Sequence, residues 1–157
     1  MSILRKTIIV LAALTAANIA HTQSISKSDK ATVHITGRVD LDCTIRVDAT
    51  AIATNLNILG GESNSVAGVV TENCNSGNGY SITVTSKNLG SIQSGQKAIA
   101  YTASYDDGTG DINTEIVAKR NVAQFGRKGN FSVTLPATPN AEAGTYNDVL
   151  TFVIAAK

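Results

Sequence analysis

With 157 residues, 13 basic and 12 acidic side chains and a formal net charge of +1, the chain has room for one well-buried domain, and its charges are not clustered. Balanced charge without a basic face argues against a nucleic-acid partner and against electrostatic steering of a charged substrate. Aromatic residues make up 4% of the chain and Trp is absent, which disfavours a sugar site built on ring stacking.

Arg5 and Lys6 precede an apolar run from Ile8 through Ala20, interrupted by Thr15 and Asn18 and followed by the polar stretch His21 to Ser24. A charged start, a short apolar middle and a small polar exit describe a secretory signal peptide, expected over residues 1–24, with Ala20, Thr22 and Ser24 as possible ends. The apolar run is shorter than the roughly 20 residues a membrane-crossing helix needs. No second segment of spanning length follows, so the mature chain is expected to be exported and soluble.

From Lys30 to Asp48 polar and apolar residues alternate: Ala31, Val33, Ile35, Val39, Leu41, Cys43, Ile45 and Val47 share one face, with Gly37 in the one gap. Period-two alternation marks a strand with one buried side. At about 3.3 Å per residue this stripe would reach roughly 60 Å, several times an ordinary strand. One small domain cannot bury all of it, so part of the stripe is expected to leave its own domain and add to a neighbour's sheet edge. The plainer alternative is one long or bent edge strand serving its own sandwich. On the opposite face Asp40, Asp42 and Asp48 interleave with Arg38 and Arg46 and read as a solvated edge, as does His34.

Cys43 and Cys74 are the only cysteines. In an exported chain an isolated pair is most simply one disulfide. Metal ligation, with only His21 and His34 to complete the set, is the poorer reading.

Beyond Asp48 short strands alternate with turns. Leu56–Leu59 is a brief apolar run ending at Gly60-Gly61, and Val66–Cys74 ends in Asn75-Ser76-Gly77-Asn78-Gly79. Tyr80, Ile82 and Val84 alternate with Ser81, Thr83 and Thr85, and Ile99, Tyr101, Ala103 and Tyr105 form a second alternating set. Asp106-Asp107-Gly108-Thr109-Gly110 then turns the chain; its order departs from a calcium-loop pattern. Ile116–Phe125 alternates poorly and fits a short helix or a strand. Phe131, Val133 and Leu135 alternate before Pro136. Turn signals at this spacing predict an all-β sandwich.

Ala143-Gly144-Thr145-Tyr146-Asn147-Asp148 enters a last strand, where Leu150, Phe152 and Ile154 alternate. Val149–Ala156 is apolar on both faces, the pattern of a central buried strand, yet no sequence follows to pair its other edge. An open apolar groove there would complement the spare N-terminal stripe, and the pair predicts head-to-tail polymerisation. No Gly-x-Ser-x-Gly, His-Glu-x-x-His or phosphate-binding glycine loop is present, so no enzyme activity, cofactor or metal is expected. The competing function is a monomeric secreted binding domain with recognition in loops 60–65 or 75–79.

The run Ile35-Thr36-Gly37-Arg38-Val39-Asp40 with Cys43-Thr44-Ile45 resembles the mature start of archaic, Csu-type chaperone/usher pilins and the related spore coat protein U domains. The resemblance continues in Cys74, Tyr80-Ser81-Ile82-Thr83-Val84, Ile99-Ala100-Tyr101 and Tyr105-Asp106-Asp107-Gly108, and closes with Ala143-Gly144-Thr145-Tyr146-Asn147-Asp148-Val149-Leu150-Thr151-Phe152-Val153-Ile154. It implies an incomplete immunoglobulin-like β-sandwich over residues 38–157, preceded by a donor extension over 25–37 and completed by a donated strand. Partners implied are a periplasmic chaperone, an outer-membrane usher and neighbouring pilin subunits, in a fimbria at the cell surface that supports adhesion. Ala31, Val33 and Ile35 would be donor side chains and Gly37 a point of close backbone passage. Leu150, Phe152 and Ile154 would line the acceptor groove, and Cys43 and Cys74 would match the family's disulfide. A tip adhesin generally carries a second domain, so a shaft or minor structural subunit is expected.

Overall fold

Alternation of β-branched and polar residues dominates the chain, and almost every such run becomes a strand. The computed structural model describes residues 29–157, so the expected signal peptide and the first residues of the expected donor extension lie outside the described residues. The chain divides at Gly37 into two units. In the first, residues 29–37 carry no regular secondary structure and are exposed.

The second unit, Arg38–Lys157, holds ten strands and one helical turn. In order these are β1 (Cys43–Ala49), α1 (Ala51–Thr54), β2 (Glu62–Cys74), β3 (Tyr80–Ser86), β4 (Ser91–Ser94), β5 (Lys97–Ala100), β6 (Thr102–Tyr105), β7 (Thr109–Asp111), β8 (Glu115–Arg120), β9 (Gln124–Leu135) and β10 (Leu150–Ala156). One antiparallel sheet has the order β1-β2-β9-β6, the other β10-β3-β8-β7, and β4-β5 is a separate hairpin. The inner faces of the two sheets meet in one core that includes Val70, Tyr80, Ile82, Tyr105, Ile116 and Phe131.

The protein is thus all-β, an immunoglobulin-like sandwich. Its first sheet repeats the A-B-E-D order of such domains, and the second begins with the F and C equivalents, β10 and β3. The place beside F that a seventh strand, G, occupies in a complete domain is unfilled among the described residues.

Several sequence expectations change in detail. The long stripe is a strand only from Cys43, where pairing with β2 begins at Cys43↔Cys74. Leu56–Leu59 is not a strand: Ile58–Gly60 turn, with the Asn57 side chain accepting from the Gly60 N–H at 2.9 Å. The Ile99–Tyr105 set keeps its inward phase but splits at Tyr101, so that β5 pairs β4 while β6 pairs β9. Ile116–Phe125 is strand, turn and the start of β9; alternation holds from Ile116 to Arg120 once Arg120 is counted as inward, and lapses from Asn121 to Phe125. Last, β10 is bonded to β3 alone among the described residues and so is an edge strand although it is apolar on both faces, with Leu150, Phe152, Ile154 and Ala156 half-buried and the residues between them exposed.

At the β2–β3 connection the chain reverses through Gly79, whose φ is +83° and where a Cβ would lie 2.0 Å from the Arg120 carbonyl oxygen. Only glycine fits both constraints.

Candidate functional site

The unfilled place is a groove between β1 and β10. β1 runs from Cys43 to Ala49 and β10 runs the opposite way. Ile45, Val47 and Ala49 line one cavity together with Leu150 and Phe152. A second cavity of about 160 Å³ continues past Leu150 to Leu56, Ile92, Tyr101 and Leu135. Beyond β2 on one side and β3 on the other, β1 and β10 have no hydrogen-bonded neighbour among the described residues, so each presents an open backbone edge.

The groove's floor is apolar because inward-phase residues of both sheets meet there without a covering layer. Phe152 stacks edge-on against Phe131 at 5.4 Å and Tyr105 at 6.1 Å between ring centroids. Leu150, Phe152 and Ile154, the expected acceptor residues, lie on this one face of β10 and pack against the core while staying only half-buried.

One carboxylate anchors the entry to β10. Asp148 accepts hydrogen bonds from Ser86 Oγ at 2.6 Å, Tyr101 Oη at 2.7 Å, the Asn88 N–H at 3.0 Å and the Val149 N–H at 2.7 Å. Burial, and then the bond to Asp148, push the Tyr101 phenol well above its ordinary value. A neighbouring bridge pairs Asn147 with Gln93 through both backbone bonds. The Asn147-Asp148 pair of the sequence motif therefore fixes where β10 begins.

The expected donor residues Ala31, Val33, Ile35 and Gly37 are all exposed; Val33 is 81% and Ile35 93% accessible. Val39 and Leu41, in the same phase, are exposed as well. The polar face is a solvated edge, and within it Arg38 Nε donates to Asp40 at 2.7 Å and Arg46 Nε to Asp48 at 2.9 Å. Cys43 and Cys74 are bonded as a disulfide across the β1–β2 register.

A buried ionic cluster joins the sheets at the Cys43 end, and it was not singled out from the sequence. Glu72 on β2 is fully enclosed and accepts from Tyr80 Oη at 2.6 Å, from Tyr105 Oη, and from Arg120 Nε at 3.0 Å and Nη2 at 2.8 Å. Arg120 also donates to Asp107 at 2.5 Å and Asp106 at 3.0 Å. Asp106 takes a further bond from Arg127 Nη2 at 2.5 Å, while Arg127 Nη1 lies 3.6 Å from Glu72 with no hydrogen-bond partner among the described residues. Burial alone would raise the Glu72 carboxyl; the bonds from Arg120, Tyr105 and Tyr80 outweigh it and hold the group below 4.5. Burial and the facing carboxylate push the Tyr80 and Tyr105 phenols above their ordinary range. Both Glu72 oxygens are occupied by donors, so the cluster ties strands together rather than presenting a base to a substrate. The expected turn is confined to its leading residues, Asp106-Asp107, with Thr109 and Gly110 already in β7, and the two aspartates serve these arginines.

No family model matches the chain, and no curated protein matches it. Among solved structures it is similar to the E. coli Hda pilus minor tip subunit HdaB, at 9% identity and a TM-score of 0.43, over 71% of this chain and 79% of that one.

Proposed function

We propose that the chain is a structural subunit of a chaperone/usher-assembled fimbria, exported through the periplasm and polymerising at the cell surface by donor-strand exchange, in support of adhesion. The observation that carries this reading is the apolar groove between the open edges of β1 and β10, in a chain whose β1 is preceded by exposed residues of matching pattern. β10 offers four inward positions at two-residue spacing, Leu150, Phe152, Ile154 and Ala156. Ala31, Val33, Ile35 and Gly37 of a second copy have the same spacing, about 6.6 Å per step. A donated strand antiparallel to β10 adds backbone bonds to an edge that otherwise invites aggregation, and side chains to a floor that otherwise meets water. Before the next subunit arrives, a periplasmic chaperone would cover the groove and an outer-membrane usher would host the exchange. Both partners come from the sequence resemblance.

The test is a synthetic peptide spanning Ser26–Val39 added to the purified mature chain. At a hundredfold excess over its dissociation constant, a ligand of the folded state stabilises by about 2.7 kcal/mol, so the melting temperature rises by several degrees. The peptide should also convert polymers into capped monomers in size-exclusion chromatography. A stable monomer indifferent to the peptide would overturn the reading in favour of a secreted binding domain that works through its loops.

A further inference from the structure

A chain that carries both a groove and a strand to fill it can cap itself. An inserted strand 31–37 that pairs antiparallel with β1, placing Ala31 opposite Ala49, Val33 opposite Val47 and Ile35 opposite Ile45, puts its apolar side chains on the inward face of β1. That register makes a hairpin with residues 38–42 as its loop and Asp40 at the centre, a loop length hairpins commonly use. A tether this short holds its own strand at about millimolar effective concentration, so self-capping would outcompete capture from another copy unless something opposed it.

The Asn75 side chain sits where it can oppose it. Its Oδ1 accepts the Asp42 N–H at 2.8 Å and its Nδ2 donates to the Asp40 carbonyl at 2.7 Å. The Asn75 backbone N–H donates to the Asp42 carbonyl at 3.1 Å. One amide thus imitates the pair of bonds a neighbouring strand would make, and ties Asp40 and Asp42 to the end of β2 just beyond the last ladder pair, Cys43↔Cys74. The residues that must rearrange into the loop of the self-capping hairpin are the ones Asn75 ties down.

We propose that Asn75 is a positioning residue that blocks closure of the chain on its own groove and so reserves residues 31–37 for a second copy. The inference rests on the donor-strand reading above and adds what decides between capping in cis and in trans.

The mature full-length chain, refolded with its disulfide at one fixed concentration, is compared with Asn75→Ala. Loss of two hydrogen bonds of ordinary net strength shifts the ratio of self-capped monomer to polymer about tenfold toward monomer. In that monomer fraction the amides of residues 31–37 become protected from hydrogen exchange, and the protection does not change on dilution. A merely structural asparagine would lower stability without protecting 31–37. Asn75→Asp keeps the shape and the acceptor but loses the donor and adds a carboxylate beside Asp40 and Asp42; it should shift the same way, and it decides the matter if Asn75→Ala does not form the Cys43–Cys74 bond. If the Ser26–Val39 peptide binds the groove while the variants keep the wild-type ratio and an unprotected 31–37, the role of Asn75 is overturned. If the peptide does not bind at all, the donor-strand reading fails and this inference falls with it.

Discussion

Glu72 and Arg120 show how much a single pair can carry when it is enclosed. Both are buried, Glu72 at 0% and Arg120 at 5% accessibility, so each keeps its charge through the partners packed around it: Glu72 through Arg120 and two phenols, Arg120 through Glu72, Asp106 and Asp107. Removing Glu72 leaves buried Arg120 with only its outer carboxylates and leaves the Tyr80 and Tyr105 hydroxyls without an acceptor, and Glu72→Ala is expected to cost about 3 to 5 kcal/mol in a denaturant titration. The same carboxylate sets an acid limit. Its folded value lies below the ordinary 4.5, so its contribution is complete above pH 4.5 and is lost as pH falls below that toward the folded value. The wild-type melting temperature should therefore fall more steeply below pH 4.5 than that of Glu72→Gln, which lacks the titrating group; parallel curves would remove Glu72 from the account. Part of this was legible. Val70, Glu72 and Cys74 share a phase, as do Ile116, Ala118 and Arg120, so two charges sit in apolar rows. What alternation cannot give is which charge meets which, because the partners are 48 residues apart and come together only when the sheets stack. The aspartates of the 106–110 turn were legible as turn formers alone, since their arginine partners depend on that same stacking.

At the scale of elements, β10 is held at its start more than along its length. Four donors converge on Asp148, and only one edge of the strand is bonded, to β3 through seven residue pairs. Asp148→Ala removes the acceptor and leaves the Tyr101 and Ser86 hydroxyls without theirs. It should cost about 2 kcal/mol and speed hydrogen exchange at the first amides of β10 over those of β3. Equal exchange in the two strands would mean that the anchor is dispensable. The strand's position as an edge was half readable. Its hydrophobicity reads as central, because Val153 and Ala155 are apolar too, yet these face outward and Val153 is 52% exposed. The Ile99–Tyr105 run misled differently: burial keeps a regular period across Tyr101, while the backbone changes partners there, and side-chain pattern records burial rather than pairing.

For the whole molecule, the two-sheet sandwich and its inward rows followed from period-two alternation and turn residues, and the surplus stripe at residues 31–41 pointed to an edge short of a strand. What could pair with that edge is not encoded in one chain's alternation, which records burial rather than partners. The disulfide closes a span of 31 residues between β1 and the end of β2, and its reduction should cost about 3 to 4 kcal/mol through loop entropy, measured as the change in denaturation midpoint with and without reductant. An unchanged midpoint would show that the β1–β2 ladder alone secures the strand. That covalent link also sets how the domain bears load. A pull on the residues before Cys43 arrives at a strand that, along its seven ladder pairs, could otherwise be unzipped one hydrogen bond at a time from its first residue. With Cys43 tied to Cys74, the tension passes at once into β2, which is bonded on both sides, so the edge strand resists peeling and the force is spread across the sheet.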